Sequence, residues 1–160
     1  GTNWRMTELQ AAIGRIQLRR MAAWHAARAA NAKRIAESLS GLAALRVPLP
    51  PEDIEHAWYR LYVYIRQDEL APPVDRDALV ASIVAAGVPC NVGSCPEIYL
   101  EKAFEGTACR PAERLPVARD LGETAVAFLV HPTLAEAEVD KTGQVVSATC
   151  SKASRRPRSV

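Results

Sequence analysis

Large rings are scarce in this chain, with two phenylalanines and only 6% aromatic residues, and no two of its eight glycines fall within two residues of each other. That spacing excludes both glycine-rich nucleotide fingerprints, which need clustered glycines for close backbone approach to phosphate. No G-x-S-x-G elbow is present, and His25, His56 and His131 have no evident serine or cysteine partner in a nucleophile pattern. No apolar run approaches the ~18 residues of a membrane span. The first ten residues, GTNWRMTELQ, hold no signal-peptide core and do not begin with methionine, so a piece of a longer chain is expected. Without a secretion signal, Cys90, Cys95, Cys109 and Cys150 are expected as reduced thiols in a cytoplasmic compartment. Four residues separate Cys90 from Cys95, a spacing that some zinc sites use. The two further ligands could come only from Cys109 and His131, which form no second pair, so ordinary thiols are the expected reading and no metal is assigned.

What is present is a 160-residue chain with 49% hydrophobic and 24% charged residues and a net charge of +2. That length suits one domain, or one small domain with pieces of another. A compact chain of this size buries roughly 70% of its unfolded surface, enough for a core without disulfides or metal. Residues 1–34 carry seven basic residues and one acid, and the tail from Ser151 carries Lys152, Arg155, Arg156 and Arg158. The middle is correspondingly acidic, unlike an evenly basic nucleic-acid domain.

Thr7 and Gln10 have the spacing of a capping box. Met6, Leu9, Ile13 and Ile16 follow the 3/4 spacing of a helical stripe, which continues loosely to Leu39 before Gly41. The pattern exceeds thirty residues and predicts a bend or break near Gly14 or Met21. Pro48, Pro50 and Pro51 mark a connection, and HAWYRLYVYIR over 56–66 reads as a strand with Trp58, Leu61, Val63 and Ile65 in its buried pattern. A short helix over 75–86, a strand over 88–92, an irregular stretch over 93–116, a helix over 117–124 and a strand over 125–130 follow. Thr133 is placed to cap a last helix from Leu134, weakened at Gly143, and SKASRRPRSV is expected to be disordered. The sum is an α+β layout with a three-stranded sheet covered on one side. The acids Glu52, Asp53 and Glu55 read as a solvated run rather than a catalytic pair.

The opening residues Gly1-Thr2-Asn3-Trp4-Arg5-Met6-Thr7-Glu8-Leu9-Gln10-Ala11-Ala12-Ile13-Gly14, followed by Gln17-Leu18, resemble the G-x-N-[YW]-R-M-[ST]-E-x-Q-A-A-I-G-x-x-Q-L signature of the DegT/DnrJ/EryC1/StrS sugar aminotransferases. Later pieces agree in order: Glu55–Tyr59, Gly87–Cys90, Pro96–Tyr99 through Phe104, Leu115–Ala118 and His131-Pro132. The resemblance covers most of residues 1–145. It implies the small C-terminal α+β domain of a fold-type I enzyme dependent on pyridoxal 5'-phosphate (PLP), working as a homodimer on a keto nucleotide-sugar with glutamate as amino donor. Residues 1–40 would be a linker helix from the large PLP domain, 41–150 the small domain, and 151–160 a basic tail. The lysine that holds PLP lies in the family before this signature, and none of Lys33, Lys102, Lys141 or Lys152 matches its context, so no catalytic residue is assigned. The resemblance places Asn3 at the PLP phosphate of the neighbouring subunit and Arg5 at the mouth of the active site, facing an anionic substrate. The loop around Ser94–Tyr99 resembles the substrate-facing stretch, with Ser94 where a larger ring is frequent and Tyr99 read first as packing.

Two readings of another class stand beside this one. The chain could be a non-catalytic interaction or dimerisation module with an exposed apolar face. It could also bind nucleic acid through its Arg-rich first helix and tail, against which stand the acidic middle and the absence of interleaved aromatics.

Overall fold

The computed structural model describes residues 4–93 and 95–155. Helix α1 spans Glu8–Leu39 and opens with the capping box foreseen at Thr7 and Gln10. The Gln10 amide donates to the Thr7 hydroxyl (3.3 Å) and the Thr7 amide to the Gln10 side chain (3.0 Å). No break occurs at Gly14 or Met21. Nothing crowds the helix at Gly14, and an exposed helical glycine costs only about 1 kcal/mol. The alanine-rich run that follows has the highest helix propensity available. The helix stops at Ser40, whose amide and hydroxyl both donate to the Glu37 carbonyl, and Gly41 turns the chain at φ +79°.

The sheet has four strands, not three. β1 (Leu45–Arg46), β2 (Leu61–Ile65), β3 (Cys90–Asn91) and β4 (Ala125–Phe128) assemble antiparallel in the order β1-β2-β4-β3. β1 is two residues long, too short for any periodicity to announce. In register, Leu61 faces Phe128 and Val63 faces Val126 across β2 and β4. Their side chains form one core with Ile35 and Leu39 of α1 and with Leu79 and Ile83 of α2 (Arg76–Ala85). Val139, Val146 and Cys150 of α4 (Glu136–Ala153) complete it. Burial of Ile35 and Leu39 contributes roughly 1.5–3 kcal/mol each.

The other sheet face is covered in part, which corrects the one-sided sheet expected from sequence. Ala127 on that face is fully buried, and α3 (Pro116–Thr124) lies over it together with the stretch around Pro96. Pro116 opens α3 at the position where a missing amide costs nothing. The Arg76 guanidinium joins α2 to the end of α3 by donating to the Gly122 and Ala125 carbonyls (3.1 and 3.3 Å).

Helix α4 begins later than expected. Thr133 is engaged elsewhere, its hydroxyl 2.7 Å from the Nδ1 atom of His131. The Glu138 carboxylate instead accepts from the Ala135 amide (2.8 Å), satisfying an orphan donor at the helix start. Gly143 does not break α4. A Cβ there would lie 2.8 Å from Ser38 Cβ and closer still to its hydroxyl, so the glycine is what lets α1 and α4 approach. Around this crossing, Arg34 pairs with Asp140 (2.7 Å) and Glu136 (3.4 Å), and the Ser147 hydroxyl donates to the Ser38 carbonyl (3.1 Å). Order also extends into the expected tail. Ser151–Ala153 complete α4, Ser154 bridges Leu70, and Arg155 donates from its amide to Glu69 O and from Nε to Leu70 O, both at 2.9 Å. Residues 156–160 lie outside the described ones.

The Gly143–Ser38 contact makes Gly143→Ala a stringent test. Alanine gains about 1 kcal/mol of helix propensity, but overpacking a tight contact costs typically 1–3 kcal/mol. A net loss of stability in chemical denaturation is expected, and a net gain would show that the helices are not in close contact.

Candidate functional site

The strand β2 carries the site on its outward face. Leu61, Val63 and Ile65 enter the core, so Tyr62 and Tyr64 alternate to the opposite side. Arg46 of β1 lies over the Tyr64 ring at 4.2 Å from its centroid. Trp58 does not belong to the strand's buried series, as the sequence reading had it. It precedes the strand with φ +49°, a left-handed conformation rare for a bulky residue. Three hydrogen bonds hold that turn: Arg28 donates to the Trp58 and Tyr59 carbonyls (3.3 and 3.4 Å), and the Trp58 amide donates to His56 Nδ1 (2.9 Å). The His56 and Trp58 rings then sit 4.4 Å apart, tilted by 52°. Together with Arg60 and the Pro48–Pro50 turn, these rings line an open depression of about 350 Å³.

Beside it, Tyr62, Tyr64, Gly93, Cys95 and Pro96 line a second, smaller depression of about 210 Å³. The loop that closes it is fixed by a charged cluster. Arg114 binds both carboxylate oxygens of Glu97, through Nε at 2.9 Å and through Nη2. Tyr99 donates its hydroxyl proton to Glu97 (2.6 Å) and accepts from the Leu115 amide (2.8 Å). Tyr99 is thus buried, as read from sequence, and it also ties two ends of an irregular segment together. The Arg114 and Tyr99 hydrogen bonds hold the Glu97 carboxyl down at about 2.

The candidates named from sequence are placed unevenly. Asn3 and Ser94 lie outside the described residues. Arg5 is exposed just ahead of α1, and it has a partner. His131 serves a turn, its ring accepting from the Thr133 amide (3.3 Å) while its carbonyl accepts from Asn31 (3.1 Å). Three of the four thiols are held away from the reactive thiolate. Burial pushes Cys150 up to about 11 and raises Cys90, while the Glu101 hydrogen bond foremost raises Cys95. Among the described residues no cluster of three or more His, Cys, Asp or Glu could hold a metal ion, and no helix is long and apolar enough to cross a membrane. Sequence reasoning missed Arg60, Tyr62 and Tyr64, although their alternation with Leu61, Val63 and Ile65 was the available signal.

A family model, the DegT/DnrJ/EryC1/StrS aminotransferase family, matches residues 1–147. The chain belongs to that family. It is 29% identical over 135 residues to dTDP-3-amino-3,4,6-trideoxy-alpha-D-glucose transaminase of Streptomyces venezuelae, covering 84% of this chain and 33% of that protein. It is also 26% identical over 154 residues to dTDP-4-dehydro-2,6-dideoxy-D-glucose 3-dehydratase of Saccharopolyspora spinosa, covering 96% of this chain and 33% of that one. An aminotransferase from Psychrobacter cryohalolentis has a matching structure with a TM-score of 0.89 and 47% identity, over 96% of this chain and 41% of that one. The chain therefore spans about a third of the curated relatives' length. A Streptococcus pneumoniae protein solved in its PLP form shares the fold at 20% identity, over 92% of this chain and 36% of that one, with a TM-score of 0.75.

The described residues do not by themselves fit PLP. Lys33 pairs with Glu37, Lys141 donates to the Gly87 carbonyl (3.1 Å), and Lys102 and Lys152 are exposed. None stands beside a phosphate cradle, so no step of the cofactor's chemistry is carried by these side chains.

The depressed Glu97 carboxyl fixes a pH response. A folded-state value below the unfolded one adds stability above the usual carboxylate range, and that contribution is lost as pH falls through about 2. NMR of the Glu97 carboxyl is expected to show a midpoint near 2, with amides of residues 97–115 losing protection over the same fall in pH. Glu97→Gln removes this step. A Glu97 midpoint in the ordinary carboxylate range would mean that the Arg114 clamp does not form.

Proposed function

We propose that the chain is the C-terminal portion of a PLP-dependent transaminase that moves an amino group from glutamate to a keto nucleotide-sugar and works as a cytoplasmic homodimer. One observation carries this reading: the family match spans residues 1–147, with the signature Asn3-Trp4-Arg5-Met6 at its start. In such an enzyme PLP, when bound, would supply the electron sink that amino transfer needs. This chain's share is to place groups around that centre. Asn3, as a neutral amide, suits the phosphate of the neighbouring subunit's cofactor without adding charge. Arg5 suits the anionic part of a substrate at the mouth of the site. The rigid β2 face and the loop held by Glu97 and Arg114 supply a fixed wall, and loops fixed on rigid elements are where specificity is carried.

A second reading has its own support, since one of the relatives named above is a dehydratase. The two differ in the residue that meets PLP, a lysine for amino transfer and a histidine for the dehydratase-like relatives, and this chain does not contain that position.

The test is to express the chain joined to the segment encoded before Gly1, and to follow glutamate-dependent 2-oxoglutarate release with a keto nucleotide-sugar. Release is expected, and its absence alongside loss of the sugar hydroxyl would favour dehydration. In the same protein Asn3→Ala is expected to weaken PLP binding by about 10- to 100-fold, the worth of one hydrogen bond to a charged group. Unchanged PLP affinity would remove Asn3 from the cofactor site.

A further inference from the structure

The depression in front of β2 has a composition that the fold does not require. Its walls are His56, Trp58, Arg60, Tyr62 and Tyr64 with the Pro48–Pro50 turn, and no acid is among them. Arg60 stands out chemically. Its Nη1 is buried and has no hydrogen-bond partner, and none of the ion pairs among the described residues includes it. The Tyr59 ring lies beside it, 5.3 Å from the guanidinium carbon. A guanidinium with one dry, unanswered edge is under-solvated, and a buried donor left unmade costs on the order of 1–3 kcal/mol. Such an orphan in a native structure calls for an explanation, and a functional role for the guanidinium is one. Arg60 is itself among the residues lining the depression, so its solvent-facing atoms, not the buried Nη1, are where a counter-charge can reach the guanidinium.

The turn above it is built at a cost in backbone conformation. Trp58 keeps φ +49° because Arg28 and His56 hold both sides of it, and such outliers cluster at ligand sites. The result is that two ring faces line the same hollow as Arg60. Since His56 Nδ1 accepts a backbone proton, the neutral ring carries its own proton on Nε2, a second donor. Glu55, next to His56 in sequence, lines a separate depression together with residues of α1.

We infer that the hollow between β2 and the Pro48–Pro50 turn is a binding subsite for a phosphate or carboxylate group on a small organic ligand, with Arg60 as its charge partner and the Trp58, Tyr62 and Tyr64 rings as its walls. At about 350 Å³ it falls in the range of small-molecule sites. The planar fork of arginine matches either oxyanion with two parallel hydrogen bonds. The inference stands on this hollow alone and does not depend on the transaminase reading.

The test titrates the 160-residue chain at low salt with inorganic pyrophosphate, with glutamate and with the uncharged nucleoside uridine. NMR follows the Trp58 indole and Arg60 Nε–H signals. A saturable shift with one of the two anions is expected, and the tighter of them identifies the group as phosphate or carboxylate. Uridine is expected to move the signals far less. Arg60→Gln is expected to weaken anion binding by about 10- to 100-fold. If that variant does not fold, Arg60→Lys keeps the charge without the fork, and binding several-fold weaker supports the assignment. No saturable shift with either anion up to about 10 mM, or binding that the Arg60 substitutions leave unchanged, overturns it.

Discussion

The closeness of α1 to α4 is the constraint on which the remaining architecture rests. With Gly143 against Ser38, the two helices share one buried layer, and Ile35, Leu39, Val139 and Val146 reach the same core. A larger residue at 143 would push the helices apart and open that layer. The polar contacts around the crossing follow from the same approach. Arg34 spans to Asp140 and Glu136, and Asn31 reaches the His131 carbonyl, only because the backbones run close. These exposed ion pairs are worth little individually, so they set orientation more than stability. The sheet then lies on a floor that is already fixed.

That arrangement divides the sheet's labour. The inward side chains of β2 and β4 make the core, and the outward ones of β2 make a tyrosine and arginine face. Because side chains alternate with a period of two, any packing that fixes Leu61, Val63 and Ile65 also fixes Tyr62 and Tyr64, with Arg60 in the bend immediately before the strand. The outer face inherits its rigidity from the inner one. Across it, the Glu97–Arg114–Tyr99 cluster gives an irregular loop the fixed shape that secondary structure does not provide.

Much of this was legible in the residues, and the misses have physical causes. The capping box at Thr7 and Gln10, the helix over 76–85 and the strand over 125–128 follow from local patterns that depend only on neighbours in sequence. The continuity of α1 through Gly14 was missed because an exposed glycine lowers propensity without breaking a helix. Gly143 was read as weakening α4 for the same local reason, whereas its role depends on Ser38, more than a hundred residues away. β1 is defined entirely by pairing with β2, and pairing leaves no periodicity in two residues. The family's signature was plain at residues 1–14, but its arginine and tyrosine face was hidden in a strand read only for its core side. The order of Arg155 rests on carbonyls of Glu69 and Leu70, which no reading of a basic tail could supply.

Helix α1 is anchored from Arg28 onward, by that residue's hydrogen bonds to the Trp58 and Tyr59 carbonyls and by the buried Ala32, Ile35, Ala36 and Leu39, while Leu9, Ile13 and Ile16 are 72%, 51% and 42% exposed. At 1.5 Å per residue, the stretch from Arg28 back to Glu8 extends about 30 Å. An unbroken rod of that length pivoting at its far end is a lever. A tilt of about five degrees at Arg28 carries the capped tip through about 2.6 Å, roughly the rise of two residues. Any such tilt is thereby magnified toward Arg5, just ahead of the capped end of α1.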